Sequence, residues 1–214
     1  MIDVIIPTKT CDKLLPILTR CISSLRASED FDFNVVLVES QACKVEAGQD
    51  MTILYDRPTF NYNRALKLGI DVTVGDWVVM ANNDLVFHPG WFTAIRSVWE
   101  TIPTVRSFCP WNGQNGYHNY VYADNPNRVI FGYRVCYEVG GWCLVCRREV
   151  MEAIDLSERV DFWYSDNVYA DELQKHHIPH ALIRDSRVDH LTSQTVDFSV
   201  YDSRVDLLKY RGEA

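Results

Sequence analysis

The chain is 214 residues long, 47% hydrophobic and 23% charged, a balance typical of soluble globular proteins that bury a core without disulfides or a structural metal. Its formal net charge of −8 argues against a non-specific grip on long nucleic acid, which requires a basic stripe, and leaves room for a locally basic pocket for a small anion. Seven cysteines without framework spacing read as reduced thiols, and no basic leader or run near ~20 apolar residues is present, so a cytoplasmic location without a transmembrane segment is expected.

Residues 2–6 (Ile-Asp-Val-Ile-Ile) are a short apolar run ended by Pro7 and Thr8, which reads as a buried strand. Leu14, Leu15, Leu18, Ile22 and Leu25 then recur at helical spacing over 13–27. Buried strands are predicted over 34–38, with Glu39 and Ser40 at the carboxyl end, and over 51–55. A helix near 61–71 and a strand over 76–81 follow, the strand ending in Asn82-Asn83-Asp84. Continuous apolar strands alternating with helices predict an α/β fold, a mostly parallel sheet with helices on both faces. Ligands of such sheets bind beyond the carboxyl ends of the strands, where Thr8, Glu39 and the Asn82–Asp84 group collect. Residues 1–85 therefore read as a nucleotide-binding half.

The second half is less regular. His88-Pro89-Gly90 opens a helix from Trp91 to Trp99, and residues 108–128, rich in Gly, Asn, Tyr and Pro, read as loops or a hairpin. Gly140-Gly141-Trp142 precedes an apolar strand over 143–146 and a helix over about 147–154. A further helix is predicted from Ser165 to His176, and a strand over 181–183 leads towards His190. His176, His177 and His180 are expected at the solvated end of that helix. With no repeat, low-complexity tract or linker, residues 1–214 read as one compact domain with two lobes, 86–214 forming the second.

Three local signals carry chemistry. Asp84, at a strand's carboxyl end, is placed to hold a hard divalent cation, Mg²⁺ or Mn²⁺, beside a diphosphate; as a bare spacing, Asn82-Asn83-Asp84 is equally a polar turn. Asp166, after the aromatic run Phe162-Trp163-Tyr164, is either a helix cap or a general base facing an acceptor hydroxyl. His190 is either structural or a neutral imidazole completing a metal site with a distant carboxylate. Cys143-Leu144-Val145-Cys146 has CxxC spacing but no second pair nearby, which argues against zinc.

Taken in order, these segments resemble the GT-A glycosyltransferases, specifically the family 2-like group that includes rhamnosyltransferase-type enzymes. Val4-Ile5-Ile6-Pro7-Thr8 is similar to that family's opening strand, and Phe60-Asn61-Tyr62-Asn63-Arg64-Ala65 to its loop-helix segment. Gly75-Asp76-Trp77 leads into the strand before Ala81-Asn82-Asn83-Asp84, which resembles the DxD region, with Pro89-Gly90-Trp91 opening the next helix. Gly140-Gly141-Trp142-Cys143 resembles the acceptor-side strand, Ser165-Asp166 falls where the family has its Glu-Asp pair, and His190 where it has a metal-side His.

The resemblance implies a Rossmann-like GT-A fold, with residues 86–214 as a loop-rich acceptor-side half. It implies inverting, metal-dependent transfer of a sugar from a nucleotide-diphosphate sugar to an acceptor hydroxyl. Thr8 and Glu39, beside Pro7, would contact the nucleoside, and Asn61 and Arg64 the base or diphosphate. Asn82 would meet the ribose, with Asn83 and Trp142 also on the substrate side. Asp84 and His190 would hold Mn²⁺ or Mg²⁺, and Asp166 would be the general base. Three departures stand out: Asn82 leaves one acid in the triplet, Ser165 replaces Glu, and Lys67 stands where many relatives carry Asn. They keep open a non-catalytic nucleotide-sugar-binding module; nucleotidyl transfer on a related sheet would want a glycine-rich loop that Ile5-Ile6-Pro7-Thr8-Lys9 lacks. A glycan, a protein, a lipid-linked glycan or a small molecule would serve as acceptor, recognised by residues 108–138, the C-terminal tail or a partner protein. Oligomeric state stays open.

Overall fold

The computed structural model describes residues 1–40, 51–56, 59–114, 116–123, 125, 127–191 and 202–213; Cys43 and Thr192-Ser193 lie outside these. The first half follows the apolar pattern closely: β1 (Ile2–Thr8), α1 (Leu15–Arg26), β2 (Asn34–Glu39), β3 (Met51–Tyr55), α2 (Tyr62–Asp71) and β4 (Trp77–Ala81). β5 (Leu85–Phe87), α3 (Trp91–Thr101), β6 (Ser107–Trp111), α4 (Gly116–Ala123) and β7 (Val129–Phe131) come next. The chain continues through β8 (Cys143–Arg147), α5 (Arg148–Ala153), α6 (Ser165–Lys175), β9 (His180–His190) and α7 (Ser203–Arg211). No helix of the described residues is long and apolar enough to cross a membrane.

One sheet runs through both halves in the order β3-β2-β1-β4-β8-β6-β9-β5, with β7 paired to β9. β3, β2, β1 and β4 are parallel, with α1 leading from β1 to β2 and α2 from β3 to β4. From β4 onward the sheet is mixed: β8 is antiparallel to β4 and β6, β9 is parallel to β6, and β5 and β7 run antiparallel to β9. Alternate residues of each central strand enter opposite cores. Val4, Ile6, Val35, Leu37 and Val79 pack with α1 and α3 on one face, and Ile5, Val36, Val38 and Met80 with α2, α5 and α6 on the other. Cys143 belongs to the first core and Cys146 to the second, so the two thiols face opposite sides of β8 and cannot share a metal.

Three expectations for the second half are corrected. Residues 108–128 hold a strand and a helix, β6 and α4, rather than loops alone. The strand near 181–183 extends over 180–190: it pairs with β6 up to Ile183, crosses a register shift, and resumes pairing with β6 at Arg187 and with β5 over 188–190. His180 is buried, not solvated: it opens β9, with Nδ1 2.7 Å from Ser107 Oγ and Nε2 3.0 Å from the Glu138 carbonyl. Desolvation lowers its pKa to about 4, so it is neutral.

At the amino-terminal end of the sheet, Asp3 is fully buried and accepts hydrogen bonds from Asn34 Nδ2 (2.8 Å), Gly75 N (2.6 Å) and Arg148 Nη2 (2.8 Å). A Cβ at Gly75 would stand 2.7 Å from the Asp3 carboxylate, which is why the turn before β4 carries glycine. This end of the sheet is closed.

Candidate active site

The opposite end opens. β1 continues from β2 on one side and β4 on the other, so the strand order reverses at β1, the position where doubly wound sheets bind ligands. Pairing of β1 with β4 stops at Ile5↔Met80 while pairing with β2 runs on to Thr8↔Glu39. The resulting crevice receives Pro7 and Thr8 from β1 and the Asn82–Asp84 segment from β4. Asn83 Nδ2 donates to Thr8 Oγ1 at 2.9 Å, tying the two strand ends together.

Asp84 is 1% exposed. Leu85 pairs with His190 across β5 and β9, and Leu191 N donates to the Asp84 carbonyl at 3.0 Å, which brings the end of β9 onto the acid. His190 Nε2 stands 3.2 Å from Asp84 Oδ1, outside hydrogen-bond alignment: among the described residues both carboxylate oxygens lack a hydrogen-bond partner. A buried charge without a partner is costly. Two donor atoms about 3 Å apart match neighbouring positions of an octahedral ion bound at about 2.1 Å. Among the described residues no three His, Cys, Asp or Glu could hold a metal together, so phosphate and water oxygens would have to complete the shell, the usual arrangement for Mg²⁺. The residues fit such an ion.

Asn82 and Trp142 meet beside this pair. Asn82 N donates to the Trp142 carbonyl at 2.9 Å, and the Trp142 ring stacks on His190 with centroids 5.9 Å apart at 19°. Tyr62 OH donates to Asn82 Oδ1 at 3.0 Å; burial raises the phenol's pKa and keeps it a donor. Asp84, Asn82, Tyr62, Trp142, Asp166 and His190 line one cleft of about 170 Å³, walled further by residues 162–165.

Asp166 sits in the first turn of α6, where Oδ1 accepts from Asn167 N at 3.0 Å. Desolvation raises its pKa above the ordinary aspartate value, against the lowering effect of backbone hydrogen bonds. A Cβ on Gly141 would lie 2.6 Å from Asp166 Cβ, so this glycine provides the acid's space. Tyr164 holds a left-handed conformation, φ 66°, strain that a non-glycine residue sustains only when its surroundings fix it. α7 does the fixing. Asp206, 3% exposed, accepts from the backbone N–H groups of Asp161, Phe162 and Trp163 at 2.9–3.0 Å. Tyr210 stacks on Tyr164 at 5.6 Å and 12°, and Lys209 Nζ reaches Asp161 Oδ2 at 2.5 Å.

Other candidates lie off the cleft wall. Asn61 caps α2 by accepting from Arg64 N, and its Nδ2 donates to the carbonyls of Glu158 and Val160 at 3.0 and 2.8 Å. Arg64 is engaged by Asp56, with Nε at 2.9 and 3.1 Å from the two carboxylate oxygens. Glu39 is fully buried at the end of β2, where both oxygens accept from Thr10 N at 3.0 Å. These three shape the loops around the crevice.

Sequence reading gave no role to Tyr62, Gly141 or Asp206, whereas the aromatic run Phe162-Trp163-Tyr164 does line the cleft. Asp202 as N-cap and Gly212 at the left-handed C-cap frame α7, a signal that exposes the helix though not what it clamps.

Residues 3–154 match the family described as glycosyl transferase family 2. The chain belongs to that family. The match does not separate rhamnosyltransferase-type members from the rest. Among solved structures, the fold is similar to S. aureus TarS 1-349, with a TM-score of 0.59 and 12% identity. The alignment covers 87% of this chain and 59% of that one, so the chain spans less than two thirds of TarS 1-349. No curated protein matches the sequence.

Proposed function

We propose that this family 2 chain transfers a sugar from a nucleotide-diphosphate sugar to an acceptor hydroxyl, with inversion and with a divalent cation, Mn²⁺ or Mg²⁺. The reading rests most on the bare, buried carboxylate of Asp84 facing His190 in the same cleft as Asp166. Thr8, Asn82 and Asn83 border the crevice that would receive the nucleoside side of the donor, with Glu39 and Pro7 behind them.

Asp84 and His190 would hold the cation, which supplies charge neutralisation for the departing diphosphate. Asp166 accepts the acceptor's hydroxyl proton as that oxygen bonds to the anomeric carbon. The bond from that carbon to the diphosphate breaks, and the nucleoside diphosphate leaves with the electron pair. Attack from the side opposite the leaving group inverts the centre. The raised pKa of Asp166 suits this role, because a base closer to the operating pH releases its proton less readily than an ordinary aspartate.

The test is a thermal-shift series of nucleoside diphosphates with and without Mn²⁺. A ligand at a hundredfold excess over Kd stabilises by about 2.7 kcal/mol, a rise of roughly 5–10 °C for a chain of this size. The expected outcome is a Mn²⁺-dependent rise with one nucleotide that disappears in Asp84→Ala. No rise with any nucleotide sinks the donor assignment.

A further inference from the structure

A second cavity, of about 760 Å³, adjoins the cleft and shares Trp142 and His190 with it. That size is within the range of small-molecule sites. Tyr117 and Tyr120, three residues apart on α4, and Tyr137 on the facing loop form its aromatic wall. The Tyr117 and Tyr137 rings stand 5.0 Å apart at 53°, and Tyr120 and Tyr137 6.5 Å apart at 75°. Tyr117 is 53% and Tyr120 69% exposed, unusual for aromatic rings that could pack inward. Tyr137 is braced from behind: Arg134 Cζ lies 4.7 Å from its ring centre, and Arg134 Nε is tied to the buried Glu138 carboxylate at 3.0 and 3.1 Å.

The lining discriminates among ligand classes. Amides from Asn112 and Gln114 join the aromatic rings, and among the described residues lining the cavity there is no carboxylate, lysine, arginine or aliphatic side chain. A phosphorylated or strongly charged acceptor wants opposite charge, and a lipid chain wants aliphatic walls. A neutral sugar ring presents an apolar C–H face and a rim of hydroxyls, which match aromatic faces and amides respectively.

We infer that the acceptor is a neutral glycan or glycoside, one ring lying against Tyr117, Tyr120 and Tyr137. Its reactive hydroxyl passes Trp142 into the cleft of Asp166. The inference rests on the transferase reading, and its test is separate from it: binding is measured without donor.

The probe is a panel of neutral methyl glycosides and short oligosaccharides, mono- to trisaccharide, observed by saturation-transfer NMR on the full chain. At least one member should bind, with saturation concentrated on the protons of one ring face. In the Tyr117→Ala/Tyr120→Ala double variant binding should weaken about tenfold, while Tyr117→Phe/Tyr120→Phe should retain it. Both positions are more than half exposed, so the variants should fold, and the Mn²⁺–nucleotide thermal shift should be unchanged in both. Absence of binding by every glycan overturns the proposal, as does equal binding by wild type and the alanine variant. Tyrosine-dependent binding of a serine-containing peptide or of polyprenyl phosphate in micelles, in place of the glycans, also overturns it. Loss of the nucleotide shift in wild type would fault the donor reading and leave the glycan result to stand by itself.

Discussion

Asp3 and Asp84 are two buried carboxylates at opposite ends of the same sheet. Asp3 is fully buried and accepts from a side-chain amide, a backbone N–H and a guanidinium. Asp84, 1% exposed, accepts no hydrogen bond among the described residues and faces a histidine across a cleft. A satisfied buried charge fixes a fold, whereas an unsatisfied one raises the folded state's free energy until something binds it. The sheet therefore separates stability, at the amino ends of its strands, from chemistry, at the carboxyl ends of β1 and β4. Substitutions at the two ends should give opposite phenotypes.

The largest effect expected is on rate. Asp166→Asn should lower kcat by about 10²–10⁴-fold, the usual worth of a positioned general base, with the Mn²⁺–nucleotide thermal shift intact. It should also stabilise the protein at neutral pH. Burial raises the Asp166 pKa in the folded state, so the folded protein holds this proton more tightly than the unfolded chain. The stability it contributes is fully present below the unfolded pKa, about 3.9, and is lost as pH rises through the folded value. The melting temperature of Asp166→Asn should exceed that of wild type at pH 7, and the gap should close below pH ~4. A variant that keeps its activity and is less stable at pH 7 would place Asp166 with Asp3, among the structural acids.

Asp3→Ala should show the converse. Removing it takes the counter-charge from the Arg148 guanidinium, which keeps Gly75 O and Thr73 Oγ1, and leaves the Gly75 N–H without its acceptor, at about 3–5 kcal/mol, roughly a 10 °C loss in Tm. Activity of the protein that remains folded should be unchanged, as a single-temperature assay well below the transition would show. A fall in kcat equal to that of Asp166→Asn would erase the distinction between the two ends.

Asp206 belongs to neither end and sharpens the contrast. Its carboxylate ties α7 to the backbone of residues 161–163, just before Tyr164 and Asp166. Asp206→Ala leaves those N–H groups without their acceptor and should cost about 1–3 kcal/mol. Because the loop carries part of the cleft wall, kcat should fall more than nucleotide affinity does. A loss of Tm with kcat untouched would make α7 a prop for the fold alone.

How much of this was legible in the sequence follows the same division. The strands and helices of residues 2–81 lie where the apolar runs placed them, because β1, β2 and β4, buried on both faces, leave an uninterrupted signal; β3 stands where its run placed it but is a partly exposed edge strand, not a buried one. The second half hides its elements for identifiable reasons. β6 contains Pro110 and a register shift beside it, α4 is built of Tyr, His and Asn rather than strong helix formers, and β9 crosses exposed Arg184, Asp185 and Arg187. Asp84, Asn82, Trp142, Asp166 and His190, picked out in sequence order, do share one cleft. Tyr62, Gly141 and Asp206 could not be found that way, since each acts on a residue at least 20 positions distant and carries no local mark.

The smallest effect tests whether α2 is coupled to the end of β4 at the crevice. Tyr62 brings α2 to the end of β4 through one hydrogen bond, from its OH to Asn82 Oδ1. Its ring packs between Phe60 and Phe162, with centroids 6.4 and 6.0 Å away, and that packing survives in Tyr62→Phe. The cost should be about 0.5–1.5 kcal/mol of stability, a shift of a few degrees at most. With its partner gone, Asn82 is free to turn, and nucleotide affinity should fall by roughly two- to tenfold. Asn82→Ala should show a comparable loss, and the double variant no more than the larger single loss, because both changes remove the same oriented amide. Affinity losses that simply add would mean that the two residues act independently, and that α2 does not orient the donor crevice through Tyr62.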